Sequence, residues 1–90
     1  MKIIKINAMW CPGCLISKNI WNELEKEYPH NEYINLDYDL DEEEVEKYNV
    51  GEILPVVIFL DNENEVKRII GEKTKKEILD EVGDILWKNF

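Results

Sequence analysis

The two cysteines of this chain, Cys11 and Cys14, lie three positions apart, and the sequence contains no others. Two thiols at this spacing can form and break a disulfide, because one turn of helix brings the second sulfur within reach of the first. A secreted protein of this length that depended on disulfides would normally contain four or more cysteines. The spacing therefore predicts redox chemistry.

Three other interpretations of the cysteine pair remain open at this point. A structural disulfide would have to persist against the cellular reductants that normally keep such pairs reduced. A zinc site needs four ligands, and His30 is the only histidine, so carboxylates or a second chain would have to complete it. An iron–sulfur cluster shared between two chains would supply four thiolates. We expect no metal and no cofactor.

The residues around the pair favour Cys11 as the attacking thiol. Apolar side chains alternate loosely over residues 2–8, which predicts a strand, and Pro12 suits the first turn of a following helix. The free N–H groups and the positive dipole end of a helix stabilise an anion there. Cys11 would then be the thiolate-prone sulfur, and Cys14 would displace a bound substrate. Pro12 and Gly13 would influence the redox potential through the geometry of the helix start.

Apolar periodicity predicts seven elements in the order β-α-β-α-β-β-α. The strands are expected over 2–8, 32–37, 55–60 and 65–70, and the helices over 12–28, 41–49 and 74–88. The early β-α-β units favour parallel pairing and the late strand pair favours an antiparallel hairpin. The sequence therefore predicts an α/β fold in one domain over 1–90, with a four-stranded mixed sheet and helices on both faces.

The predicted core comes from the phase of the apolar side chains. The first helix should bury the stripe Ile16, Ile20 and Leu24, and the last helix, which begins with the capping box Thr74–Glu77, should turn Ile78, Val82, Ile85, Leu86 and Phe90 inward. The large aromatic residues expected in the core are Trp21, Phe59 and Trp87. His30 is expected to face solvent.

Charge and hydropathy restrict the partners. The net charge of −9 argues against nucleic acid and against anionic membrane surfaces. The sequence has no apolar run of the roughly 20 residues that a membrane helix needs, and its first residues do not form a signal-peptide core. We therefore expect a cytoplasmic monomer. The acidic run over 37–46 is expected to be a solvated face, with a docking surface for a basic partner as the alternative.

The residues above resemble the thioredoxin superfamily over nearly the whole chain. The resemblance is carried by Ala-Met-Trp-Cys-Pro-Gly-Cys at 8–14, Pro55 at the third strand, Gly71 before the last helix, and the segments 35–37 and 47–50. The length is similar to that of glutaredoxins and of minimal thioredoxin-like proteins of archaea and bacteria. Full thioredoxins have an additional strand and helix before the strand that corresponds to 2–8.

The resemblance implies a role for several residues. Cys11 would attack a substrate disulfide and Cys14 would resolve the mixed disulfide. Trp10 would flank the site, Pro55 would be a cis-proline packed against the redox pair, and Leu54 would offer backbone groups to an extended substrate.

The chain also departs from the family pattern. Lys5 stands where thioredoxins have a buried aspartate, and Tyr33 corresponds to the lysine partner of that aspartate. Our hypothesis is that Lys5 points under the thiols and lowers the pKa of one of them; the alternative is that it faces solvent. Glu52 is a candidate proton carrier. The residues around Pro55 and Gly71 do not match the glutathione site of glutaredoxins.

The function expected from these arguments is thiol–disulfide oxidoreduction, with reduction of protein disulfides as its direction. The partners would be disulfide-containing proteins and a reductase or other dithiol electron donor. An oxidant or isomerase would use the same chemistry in another direction. The alternative outside catalysis is a sensor or binding module whose dithiol switches a surface without turnover.

Overall fold

The computed structural model describes residues 1–87 and contains four strands and three helices. The strands are β1 (Lys2–Asn7), β2 (Glu32–Asp37), β3 (Val56–Asp61) and β4 (Asn64–Ile70), and the helices are α1 (Pro12–Glu27), α2 (Glu42–Glu46) and α3 (Lys75–Trp87). The predicted order β-α-β-α-β-β-α is confirmed. Helix α2 is shorter than the predicted 41–49, and Pro55 precedes β3 rather than belonging to it.

The four strands form one mixed sheet in the order β2-β1-β3-β4. Strands β1 and β2 pair in parallel, as expected for strands joined by a crossover helix, while β3 pairs antiparallel with both β1 and β4. The carboxyl ends of β1 and β2 therefore lie at the same edge as the start of β3 and the end of β4. The loops that carry Cys11 and Pro55 meet at that edge.

The sheet has a core on each face. One core joins β1, β3 and β4 to α1 and α3, and its buried members are Ile3, Trp21, Leu24, Val57, Phe59, Ile69, Ile78, Val82 and Leu86. The other lies under α2 and consists of Ile4, Ile6, Val45, Val56, Ile58 and Leu60. Strand β3 contributes to both, which explains why it is the most apolar run in the chain.

The prediction for helix α1 is confirmed for Leu24, but the rest of the buried face differs from the predicted stripe. Its buried residues are Cys14, Ser17, Trp21 and Leu24, whereas Ile16 is 51% exposed and Ile20 is half-buried. The three isoleucine and leucine positions share a helical face, but the aromatic ring of Trp21 fills more space and turns its own face toward the sheet. This rotation also turns Cys14 inward.

The prediction for the last helix is partly confirmed. The capping box forms, because the Glu77 N–H donates to Thr74 Oγ1 at 3.1 Å and the Thr74 N–H donates to Glu77 Oε1 at 3.0 Å. The prediction that Trp87 belongs to the core is wrong, since the side chain is 63% exposed at the described end of α3. Phe90 and the predicted helix end at 88 lie outside the described residues. Within residues 1–87 we find no helix long and apolar enough to span a membrane.

The two tryptophans on α1 and α3 give a matched test of this packing. Trp21 is 2% exposed and its ring centroid lies 6.0 Å from that of Phe59. Replacing it by alanine should lower the free energy of unfolding by about 3–5 kcal/mol. Trp87→Ala should change it by no more than about 0.5 kcal/mol. Urea denaturation followed by circular dichroism measures both, and equal losses would contradict the placement of α1 and α3.

Candidate active site

Cys11 lies at the end of the loop between β1 and α1, immediately before the first residue of the helix. It is the N-cap of α1, with an extended backbone (φ −99°, ψ 110°), and Pro12 follows it in the first turn. The Cys14 N–H donates to Cys11 Sγ at 3.2 Å. A sulfur in the N-cap position thus takes the place of the oxygen that usually satisfies a free N–H group of the first turn. The same N–H and the helix dipole stabilise negative charge on Cys11 Sγ.

Cys14 lies one turn further on and faces the protein interior. It is 4% exposed and belongs to a small apolar cluster with Ala8 and Cys11, against which Tyr38 and Leu54 pack. The pKa of the Cys14 thiol is raised to about 12, mainly by burial and then by a side-chain hydrogen bond with Cys11. A backbone hydrogen bond with Ala8 lowers this pKa, and the charge of Cys11 adds a smaller rise. Cys14 is therefore held as a neutral thiol near pH 7.

Pro55 links the loop before β3 to the loop after β4. The Leu54–Pro55 peptide bond is cis, as the resemblance implied, and Pro55 is buried. Its carbonyl oxygen accepts the Gly71 N–H at 2.8 Å. Gly71 has φ +89°, a conformation that favours glycine, and a Cβ there would meet Ile53 at 3.5 Å. The loop after β4 is thereby fixed beside the proline.

Trp10 forms the other side of the site and is 61% exposed. Its indole N–H donates to Asp39 Oδ2 at 2.8 Å, and its ring meets Tyr38 edge to face at a centroid distance of 6.2 Å. Asp37 in turn accepts the backbone N–H groups of Asp39 and Leu40, each at 2.9 Å. These hydrogen bonds hold the loop after β2 against the indole.

Gly13 has a close neighbour that the sequence did not indicate. A Cβ at this position would lie 3.2 Å from Glu72 Oε2 and 3.4 Å from Glu72 Cβ. That distance is shorter than ordinary van der Waals contact, so the absence of a side chain at Gly13 lets Glu72 lie against the turn between the two cysteines. Glu72 itself is exposed.

The structure places Lys5 in neither of the two positions expected from the sequence. The residue is buried, at 6% exposure, and its ammonium forms an ion pair with the Glu25 carboxylate and lies 5.7 Å from the centroid of the Tyr33 ring. Glu25 lies about three turns along α1 from Cys14. The groups that shift the Cys14 pKa are Cys11 and Ala8, not Lys5. The hypothesis of a lysine acting on the thiols is therefore wrong, and so is the solvent-facing alternative.

The remaining predicted residues are placed as follows. Met9, next to Trp10, is 91% exposed, and Ile53, before Leu54, is 64% exposed. Glu52 is also exposed, as is His30, which the sequence placed in solvent. Among residues 1–87 we find no group of three or more His, Cys, Asp and Glu side chains placed to hold a metal ion.

Sequence reasoning missed Tyr38, which packs against the cysteine cluster, Asp39, which accepts the Trp10 N–H, and Glu72, which lies against Gly13. A signal for the first two was present, because the residues after two parallel neighbouring strands meet at the same sheet edge. Glu72 had no such signal, since its position depends on the register that pairs Val56 with Ile70.

Comparison with known protein families agrees with this geometry. The family model described as Thioredoxin matches residues 1–84. The chain belongs to the thioredoxin family. The confirmed features of the predicted thioredoxin-like fold are the four-stranded mixed sheet and the order of its elements.

Individual thioredoxin relatives lie at moderate sequence distance. Mouse "Glutaredoxin-3" is 32% identical in an alignment that covers 82% of this chain and 23% of the relative. "Thioredoxin H-type" of Oryza sativa subsp. indica is 31% identical over 79% of this chain and 57% of its own length. The chain thus spans less than two thirds of either protein. Chlamydia pneumoniae thioredoxin is 31% identical over 82% of this chain and 72% of its own length.

Solved thioredoxin structures share the fold. Thioredoxin from Trypanosoma brucei brucei superposes with a TM-score of 0.83 at 22% identity, over 97% of this chain and 75% of that one. Fasciola hepatica thioredoxin gives 0.81 at 25% identity, over 92% of this chain and 78% of that one. The relatives together place the chain in a family of thiol–disulfide oxidoreductases.

The contrast between the two thiols can be tested by alkylation of the reduced protein. Because the thiolate is the reactive form, Cys14 with a pKa of about 12 should react with iodoacetamide roughly a thousandfold more slowly at pH 8 than a free thiol. The rate should rise with pH toward 12. In Cys11→Ser, which removes the Cys11 thiol and its charge, the midpoint should fall but stay above 9.0, because burial remains. Peptide mass mapping measures each rate, and labelling of Cys14 at the free-thiol rate at pH 8 would contradict the account.

Proposed function

We propose that this protein is a protein-disulfide reductase, with Cys11 as the attacking thiol and Cys14 as the resolving thiol. The observation that carries the proposal is the asymmetry of the pair. Cys11 Sγ accepts an N–H at the start of a 16-residue helix, while Cys14 is buried and keeps its proton. Cys11 is therefore the thiol that attacks the substrate, and Cys14 stays protonated until the mixed disulfide has formed.

The reaction that this asymmetry supports conserves atoms and electrons without a cofactor. Cys11 thiolate bonds to one sulfur of a substrate disulfide, the substrate S–S bond breaks, and the other substrate sulfur leaves as a thiolate. Cys14 then loses its proton to that thiolate or to solvent and attacks Cys11 Sγ. The mixed disulfide breaks, and the second substrate sulfur leaves. Two electrons pass to the substrate, and the Cys11–Cys14 disulfide forms.

The causes of the raised Cys14 pKa explain the order of the two steps. Two of them, the hydrogen bond with Cys11 and the negative charge of Cys11, depend on a free Cys11 sulfur. Both are lost when Cys11 is bound to a substrate, so the pKa of Cys14 falls at the moment when Cys14 must attack. Burial, the largest cause, persists throughout.

The residues around the pair complete the proposal. Trp10, Pro12 and Gly13 would shape the approach to Cys11, and the backbone of Leu54 before Pro55 would align an extended substrate. A dithiol donor or a reductase would return electrons to the disulfide, and a reducing compartment such as the cytoplasm would suit this direction. The substrates would be disulfide-containing proteins.

Trapping experiments test the assignment of the two cysteines. With dithiothreitol as donor, the wild-type protein should reduce insulin through many turnovers, and Cys11→Ser should lose this activity to the background of dithiothreitol alone. Cys14→Ser should accumulate a mixed disulfide through Cys11, because nothing resolves it, and mass spectrometry would identify the bond. A wild-type protein that is oxidised once but never turns over would favour the sensor function instead. Trapping through position 14 in a Cys11→Ser variant at the wild-type rate would reverse the assignment.

A further inference from the structure

Glu72 lies beside Gly13, which is part of the turn between the two cysteines. Val56 pairs with Ile70, and the Gly71 N–H donates to the Pro55 carbonyl at 2.8 Å, so the loop after β4 cannot move away from the proline without breaking this bond. Glu72, the next residue, has its Oε2 3.2 Å from where a Cβ of Gly13 would be. A carboxylate thus lies against the turn that separates the two cysteines.

The charge of this carboxylate is available to a bound substrate. Glu72 is exposed and takes part in none of the ion pairs that the described residues form. Lys73 follows it in the chain, but the Lys73 charge acts on Glu77, whose pKa is lowered mainly by the hydrogen bonds with Thr74 and to a lesser extent by Lys73 and Lys76. The Glu72 carboxylate therefore lies against Gly13 and forms no salt bridge with a lysine or arginine of the described part of the chain.

The other loops at this edge add charge of the same sign. The segments 37–42 and 51–54 contain acidic residues, including Asp39 and Glu52, but neither lysine nor arginine, whereas the loop over 71–74 contains both Glu72 and Lys73. Between these charges stand exposed apolar side chains, Trp10 at 61% and Ile53 at 64% exposure. A segment that contacts this surface meets an apolar area bordered by negative charge.

We infer that Glu72 is a specificity-determining residue, and that the preferred substrates present their disulfide beside a basic side chain. The inference rests on the proposed reductase function and concerns its choice of substrate. In water, Coulomb's law gives about a threefold effect for one charge pair at a separation of about 7 Å. The effect has the opposite sign for an acidic side chain. A lysine next to the substrate cysteine should therefore be favoured over glutamate about tenfold.

A single-turnover experiment tests the inference without an electron donor. The reduced protein is mixed with disulfide-linked dimers of one capped tetrapeptide in which the residue before cysteine is lysine, glutamine or glutamate. Formation of the protein disulfide is followed by quenching and mass. At low salt the rates should fall in the order lysine, glutamine, glutamate. At 0.5 M salt they should converge, because the screening length shrinks from about 10 Å at 0.1 M toward about 3 Å at 1 M.

Matched variants separate Glu72 from the overall negative charge. Glu72→Gln keeps the shape against Gly13 and should lower the lysine-to-glutamate rate ratio at least threefold. Glu63→Gln removes the same charge from the turn between β3 and β4, at the opposite end of the sheet, and should leave the ratio unchanged. Rates with the neutral bis(2-hydroxyethyl) disulfide correct for any change in the reactivity of the thiols themselves.

The outcomes distinguish the two proposals. If no peptide disulfide and no neutral disulfide is reduced, the reductase function fails, and the inference fails with it. If all three peptides react at one rate at low salt, or if Glu72→Gln and Glu63→Gln lower the ratio equally, the reductase function stands and the role of Glu72 is overturned. A selective loss in Glu72→Gln alone supports it.

Discussion

The structure depends on one constraint, which is that a thiol occupies the N-cap of a long helix seated on a sheet. Cys11 accepts the Cys14 N–H there, so the chemistry of the pair is set by the geometry at which β1 ends and α1 begins. That geometry holds only because Trp21 and Leu24 fix the rotation of α1 against the sheet. The same rotation points Cys14 inward. Packing far from the thiols thus determines which of them is reactive.

The remaining features of the site follow from the mixed sheet. Parallel pairing of β1 with β2 brings the loop containing Asp39 to Trp10, and antiparallel pairing of β3 with β4 brings Glu72 to Gly13. Segments distant in sequence therefore border the turn that contains the two cysteines. Helix α2 and its core cover the opposite face, and they keep β3 buried on both sides without contributing to the chemistry.

Much of this organisation could be predicted from the sequence, because it is encoded in local patterns. The cysteine spacing, the capping box at Thr74 and the apolar run after Pro55 each predict their element from neighbouring residues. The rotation of α1 and the exposure of Trp87 could not be predicted this way. Each helix has more than one apolar face, and packing against other elements determines which face is buried. Lys5 is the clearest case. Its burial is possible because Glu25 and Tyr33 supply charge and a ring face, and no local pattern couples those positions.

The central claim is that Cys11 and Cys14 form a reversible redox pair suited to reduction. The most direct measurement is a redox titration of the pair in dithiothreitol and glutathione buffers, read by alkylation and mass. The account predicts a two-electron transition with a midpoint in the thioredoxin range, about −270 mV. A midpoint between about −120 and −180 mV would instead indicate an oxidant or isomerase. A pair that stays fully reduced or fully oxidised across the buffers would contradict the account.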